Sequence, residues 1–427
     1  MPSRHLRSKE KRVEHLIVSD CQLSAVSCQP VTMPTSPNRI SQKVTQFTES
    51  VIREMTRLAF QHEAINLAQG FPNFPAPEEI KEAACQAIQD DINQYSITWG
   101  APRFRRAISD KYREIYDWEI DPERELTVAC GSTECMISSI LALVNPGDQV
   151  LVFEPFYENY GPDAIIAGAS PVYISLDANR NWSFDFQELE QKIQDAASGG
   201  GIRALILNTP HNPSGKVFSL EELGKLSELA QAYDFYVITD EIYEHIVYDD
   251  HRHHPIALFS GMRDRTITIS GLSKTFSVTG WRIGYIIAPQ DLTDGIRKIH
   301  DFLTVGAAAP LQEAGAKAMQ TRGQYYEKLA SEYRQRRDYL VDVLQDIGFK
   351  VWIPEGAYYI MVDISPLTDL DDVQFVDQLI KDYGVAAVPG SSFFHRPELG
   401  RRFIRFAFCK TQEVLREAAE RLQRLRG

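Results

Sequence analysis

Lys274 stands in SGLSKTFSVTGWRIGY (residues 270–285), among small, hydroxyl-bearing and apolar residues, with Arg282 eight positions further on. A lysine cation is costly to bury, and desolvation beside a second cation lowers its pKa. That turns an ammonium into a nucleophilic amine able to form an imine. Arg282 supplies the second charge and a fork suited to a phosphate. Other stretches carry matching chemistry. ACGSTECM (129–136) sets Gly131, Ser132 and Thr133 between a strand and a helix, where bare N–H groups and hydroxyls meet an anion at the positive end of the helix dipole. In VITDEIYE (237–244) Asp240 closes a strand and Tyr243 follows it; open α/β sheets bind ligands at the carboxyl ends of their strands. A helix N-cap is the other use of an aspartate there. FIRFAFCK (403–410) places Arg405 amid Phe and Ile, where a guanidinium can clamp a carboxylate on a dry background.

The elements that must hold these residues are legible as a pattern. From Leu126 onward the runs LTVAC, QVLVF, PVYISL, RALILN, FYVITDE, TITIS and GYIIA alternate with polar or helical stretches, which predicts an α/β layer with a largely parallel sheet. Ser219 with Glu222 forms a capping box ahead of Leu220, Leu223, Leu226 and Leu229, a stripe expected to face the core. Beyond Ala309 a long charged helix-forming stretch closes at Gly348. It is followed by the strand YYIMVDI, a helix over about Asp372 to Asp382, the strand FIRFAF and a last helix, which together predict a smaller α+β domain. The division expected is a disordered leader over 1–33, an arm with part of the small domain over 34–70, a large domain over 71–309 and the small domain over 310–427. No internal repeat stands out.

Composition narrows the class. The 427 residues, 44% hydrophobic and 24% charged, match a globular protein, and no apolar run is long enough to span a bilayer. A net charge of −13 without clustered Lys and Arg argues against a nucleic-acid partner. Six scattered cysteines, with no C-x-x-C pair, suggest neither a disulfide scaffold nor a thiolate zinc site. The first 33 residues mix basic and acidic side chains without the apolar core of a secretory signal, so the cytoplasm is the expected compartment. His251, His253 and His254 in DDHRHHP lack helical spacing, and no metal is expected there.

Taken together, SKTFSVTGWRIGY, NTPHNPSG (208–215), VITDEIYE, ACGSTECM, FEPFYENY (153–160), NQYSITWG (93–100), INLAQGFPNFPAP (65–77) and FIRFAFCK resemble the ordered motifs of the fold-type I pyridoxal phosphate enzymes. The likeness is to class I/II aminotransferases, nearest the kynurenine, glutamine and methionine branch. It covers roughly residue 60 to the end. The family fold implied is a large domain with a mostly parallel seven-stranded sheet plus a smaller α+β domain. The resemblance implies pyridoxal 5'-phosphate bound covalently to Lys274, with its phosphate held by Gly131, Ser132, Thr133 and Arg282. Where many members have a serine three positions before the lysine this chain has Gly271, which leaves Ser273 or Ser270 as the hydroxyl donor. It further implies Asn212 and Tyr243 at the ring oxygen and Asp240 at the pyridine nitrogen. Tyr157, with Phe156 the near alternative, would lie on the ring face. Ser214 replaces the family's usual Thr. Tyr95 matches a tyrosine that reaches the neighbouring subunit's phosphate, which implies a homodimer. On the substrate side Arg405 matches the carboxylate-binding arginine, Gly70 lies over the substrate, and Asn212 sits near the substrate carboxylate.

The implied activity is transfer of an amino group from an amino acid to a 2-oxo acid in two half-reactions, with Lys274 as the proton shuttle. The stretch from Asp301 to Ala318 has no arginine, which argues against an aspartate specialist, and an aromatic or sulfur-containing donor is expected. A C–S lyase would share the whole cofactor site. A catalytically silent binding protein on the same fold is the alternative of a different class.

Overall fold

Two successive residues of a strand point to opposite faces of its sheet, and here both faces carry aliphatic side chains. In the computed structural model, which describes residues 40–321 and 323–426, the leader expected over 1–33 lies outside the described residues. Helix α1 (Val51–Gln61) leads through β1 (Ile65–Asn66) into α2 (Glu78–Gln89) and α3 (Pro102–Tyr116). Then strands and helices alternate: β2 (Leu126–Ala129), α4 (Ser132–Leu143), β3 (Gln149–Glu154), α5 (Tyr160–Ile166), β4 (Ser170–Ser175), α6 (Phe186–Ala196), β5 (Ile202–Asn208), α7 (Leu220–Ala232), β6 (Tyr236–Asp240), β7 (Thr266–Gly271) and β8 (Gly284–Ile287). These are the seven runs expected from the sequence. They form one seven-stranded sheet in the order β2-β8-β7-β6-β5-β3-β4, in which β8 alone runs antiparallel to its neighbours.

Val150, Val152, Ala204 and Ile206 pack with Ile140 and Met136 of α4 on one face. Leu151, Phe153, Leu205 and Leu207 pack with Leu223, Leu226 and Leu229 of α7 on the other. Burial on both faces is what a parallel sheet requires, since its crossover helices lie above and below it. The capping box of Ser219 and Glu222 opens α7 as expected. The leucine stripe needs one correction: Leu220 is 57% exposed while Leu223, Leu226 and Leu229 are buried. It occupies the first helical position, before the helix has turned onto the sheet.

The remainder comprises α8 (Gln290–Thr304), α9 (Ala309–Ala318), α10 (Gln324–Ile347), β9 (Lys350–Val351), β10 (Tyr359–Asp363), α11 (Asp372–Gln378), β11 (Val385–Ala386), β12 (Val388–Pro389), β13 (Phe403–Ala407) and α12 (Gln412–Leu422). The sheet β12-β13-β10-β9 is antiparallel. Gly348 ends α10 in the left-handed conformation at φ 113°, which glycine adopts without a Cβ penalty. The helix expected over 372–382 is α11 continued by a π-helical turn over Leu379–Tyr383. β1 pairs in parallel with β11, Ile65 opposite Val385, so the segment before Phe71 is stitched to the C-terminal portion of the chain. Among the described residues no helix is long and apolar enough to cross a membrane.

Candidate active site

The carboxyl ends of β2, β3, β5, β6 and β7 open onto one side of the seven-stranded sheet. Because β8 returns antiparallel, its first residue starts on that same side. A cavity of about 170 Å³ lies there, lined by residues that include Ser132, Thr133, Tyr157, Asn212, Asp240, Tyr243, Ser273, Lys274, Arg282 and, from outside the sheet, Gly70 and Arg405. These eleven were all expected from the sequence. The turn residue Gly131 sits directly behind them. A Cβ there would come within 2.7 Å of Arg282 Cζ, and its φ of 83° also favours glycine.

Lys274 Nζ donates to the Gly70 carbonyl at 3.3 Å. Burial lowers its pKa to about 8; Cys409 and Asp240 favour the ammonium, and Arg282 and Arg405 disfavour it. The amine is thereby within reach of its neutral, nucleophilic form near neutral pH. Arg282, itself at φ 54°, turns its guanidinium to the Thr279 carbonyl (3.1 Å), the Cys130 carbonyl and Thr133 Oγ1 (both 3.5 Å). It therefore faces the N-terminus of α4, a cluster of donors for an anion. Glu134 steadies this turn, since its Oε2 accepts from the Cys130 N–H, while Oε1 accepts from Thr304 Oγ1 at 2.7 Å and lies 2.7 Å from His300 Nδ1.

Asp240 is buried, and no helix follows it; Oδ1 instead accepts from the Ile242 N–H at 3.3 Å. Tyr160 donates to Oδ2 at 2.9 Å. Burial raises the carboxyl to about 6 against the opposing pull of Tyr160, Ile242 and Lys274. A buried carboxyl with so high a pKa is suited to a cationic partner in the cavity. Asn212 accepts from Arg405 Nη1 at 2.8 Å, and its N–H donates to Asn208 Oδ1 at 2.7 Å. Arg405 is fully buried; Nη2 donates to the Ala68 carbonyl at 2.7 Å, and Nε has no hydrogen-bond partner among the described residues. The site thus offers an anion cradle, an amine, a carboxyl and a dry guanidinium around one small space.

Position separates several of the candidate side chains. Tyr157 lines the cavity, whereas Phe156 is buried against Tyr173 in a stacked contact of 5.3 Å. Ser273 lines it too; Ser270 instead donates to Glu244 Oε1 at 2.8 Å. At Gly271 a Cβ would lie 2.7 Å from the Ile283 carbonyl oxygen, so β8 leaves no space for a serine. Ser214 lies 2.7 Å from His211 Nδ1. Tyr95 is 83% exposed and does not reach the cavity of its own chain. His253 lies 2.8 Å from Glu241 Oε2, and among the described residues no group of three or more His, Cys, Asp or Glu is placed to hold a metal.

The sequence reading missed Tyr160, Asn208, Tyr358 and Tyr359. The Tyr359 hydroxyl is 3.0 Å from that of Tyr243, and its ring lies 4.2 Å from the Arg405 guanidinium. Tyr358 donates to the Gly70 carbonyl at 2.9 Å. Tyr160 falls inside FEPFYENY and Tyr359 inside YYIMVDI, but only the fold brings them to Asp240 and Arg405.

Comparison with known proteins points to one family. The family model for aminotransferase class I and II matches residues 62–422. A probable N-succinyldiaminopimelate aminotransferase of Mycobacterium tuberculosis is 39% identical over 88% of this chain and 96% of its own length; the solved structure of an N-succinyldiaminopimelate aminotransferase from that organism covers 90% of this chain and 100% of that one, with a TM-score of 0.87. The methionine aminotransferase of Escherichia coli is 35% identical over 92% of this chain and 100% of its own. Human kynurenine–oxoglutarate transaminase 1 is 35% identical over 87% and 94%.

Proposed function

The chain belongs to the class I and II aminotransferases, and on that premise we propose that it uses pyridoxal 5'-phosphate to move an amino group from an aromatic or sulfur-containing amino acid to a 2-oxo acid. One observation carries the reading: Lys274, Asp240, Arg282 and Arg405 line a single cavity. The cofactor fits the groups present. The turn Gly131–Thr133 with Arg282 and Ser273 would hold its phosphate, Asp240 its ring nitrogen, Asn212 and Tyr243 its ring oxygen, Tyr157 its face, and Lys274 its aldehyde carbon. When bound, the ring supplies a sink for the electrons left on the substrate α-carbon.

Arg405 orients the amino acid through its α-carboxylate, with Asn212 fixing the guanidinium and Gly70 closing over the substrate. The amine of Lys274 takes the proton from the α-carbon as a general base and returns it as an acid when a 2-oxo acid is aminated. Asp240, carrying negative charge, favours a protonated ring nitrogen. Tyr95, exposed in one chain, would complete the phosphate site of a partner copy in a homodimer. We read 71–309 as the cofactor-binding domain and 310–427, with the preceding arm, as the smaller domain, and take the cytoplasm as the compartment.

The test is spectroscopic. Loaded protein is expected to change its pyridoxal absorption on addition of methionine, kynurenine or phenylalanine, and to recover it with a 2-oxo acid. Lys274→Ala is expected to lose turnover. Ammonia and pyruvate released from cystathionine without an acceptor would mark a β-eliminating lyase instead. No half-reaction with a broad amino acid panel would defeat the proposal.

A further inference from the structure

Four cations line the cavity: Lys274, Arg282, Arg405 and Arg53. On the aminotransferase reading, which this inference rests on, the first three have tasks. Arg53 has none. It lies in the first turn of α1, and Ser50, Arg53 and Thr56 follow one another at three-residue steps, which places them near one face of the helix. Two of the three are tied to residues of the cavity wall. Ser50 Oγ donates to Glu158 Oε1, and Thr56 Oγ1 donates to Gln69 Oε1 at 3.0 Å. Both Glu158 and Gln69 line the cavity, so the face that carries Arg53 is pinned toward it.

The guanidinium is also uncommitted. Among the described residues its side chain makes no hydrogen bond or ion pair. The nearby Glu49 is held by Arg57 through contacts of 2.7 and 3.2 Å, and Glu158 is engaged by Ser50. Arg53 is exposed, whereas Arg405 is fully buried. One guanidinium therefore stands deep in the site, and another, without a side-chain partner among the described residues, stands on the exposed wall of the same cavity, which Tyr157 also lines. Both line one cavity of about 170 Å³, so a ligand long enough to fill it meets both.

We propose that Arg53 is a specificity-determining residue that reads a second carboxylate, so that among the 2-oxo acids that accept the amino group those with an acidic side chain are favoured at this site. A guanidinium pairs with a carboxylate through two parallel N–H···O bonds, and Arg53 has its donors available. Glu158, which also lines the cavity, opposes such a ligand, and one of its oxygens is engaged by Ser50.

The experiment uses pyridoxal phosphate-loaded protein and two unreactive acids, glutarate with two carboxylates and butyrate with one, titrated by calorimetry. Wild type is expected to bind glutarate about tenfold more tightly than butyrate, the ratio that a single partly exposed charge pair of ~1.4 kcal/mol produces. Arg53→Ala and Arg53→Gln are expected to remove that preference and leave butyrate binding unchanged, while Arg405→Lys weakens both acids. In turnover, the KM for 2-oxoglutarate is expected to rise in Arg53→Ala with kcat and the KM for 2-oxobutyrate unchanged. No glutarate preference in wild type, or a preference that survives in both Arg53 variants, overturns the proposal and leaves the aminotransferase reading standing. If neither acid binds and Arg405→Lys changes nothing, that reading of the site falls as well.

Discussion

The Tyr160 hydroxyl sits 2.9 Å from Asp240 Oδ2 and donates to it, which makes a residue on α5 the main side-chain support of the carboxyl that closes β6. Burial drives that carboxyl toward its neutral form and Tyr160 opposes it. In the apo-protein the folded pKa of about 6 exceeds the ~3.9 of an unfolded aspartate. Between those values the folded state binds more protons, so this group makes stability fall as pH rises from about 4 to about 6. Tyr160→Phe removes a donor to the charged form and is expected to extend the fall by about one pH unit. Urea unfolding of both apo-proteins from pH 4 to 8 measures this; coincident curves would refute it.

Lys274 is expected to capture pyridoxal phosphate faster as pH rises through about 8 and then to level off, because only the neutral amine attacks a carbonyl. Stopped-flow mixing of apo-protein with the cofactor gives the midpoint. Arg282→Gln is expected to move that midpoint upward, since the guanidinium is one of the charges that lower it. A midpoint at the ~10.4 of an exposed lysine would contradict the buried setting.

Lys111 Nζ and Glu244 Oε1 form a 2.6 Å ion pair with both side chains 2% exposed. Glu244 also accepts from Tyr116 at 3.0 Å and Ser270 at 2.8 Å, binding α3 to the strand that leads to Lys274. Lys111→Met leaves a buried carboxylate without its cation and is expected to cost about 3–5 kcal/mol. Equilibrium denaturation would show it; a loss under ~1 kcal/mol would mean that the remaining donors suffice.

Gly284→Ala is expected to loosen the turn Gly131–Thr133, proposed above to hold the cofactor phosphate. A Cβ at that position would lie 2.6 Å from Gly131 C and 2.7 Å from Ser132 N, closer than real contacts allow, so the turn must move. The expected outcome is a ~10-fold weaker hold on pyridoxal phosphate, a change of about 1.4 kcal/mol, measured as loss of the absorption band on dialysis.

The strands of the large sheet were legible because burial on both faces demands short β-branched runs, and every such run from LTVAC to GYIIA became a strand. The residues at their carboxyl ends were legible with them, since the end of a strand fixes where a side chain emerges. Tyr160, Tyr359 and Arg53 were not. Each reaches the cavity from a helix or a strand whose local pattern only records that it packs, and no spacing in the chain links position 53 to position 405. Leu220 failed for a related reason: the periodicity that marked the stripe says nothing about where the helix end stops touching the sheet.

The reversal at β8 has a further consequence. Lys274 and Arg282 belong to one connection between adjacent strands, whereas Gly70, Arg53 and Arg405 come from segments stitched together elsewhere by β1 and β11. On the proposed reading, the chain keeps its prosthetic group with the loops at one edge of the large sheet, this hairpin among them, and chooses its acids with another part of the molecule. Its diet can therefore be altered at the outer wall without disturbing the grip on the vitamin.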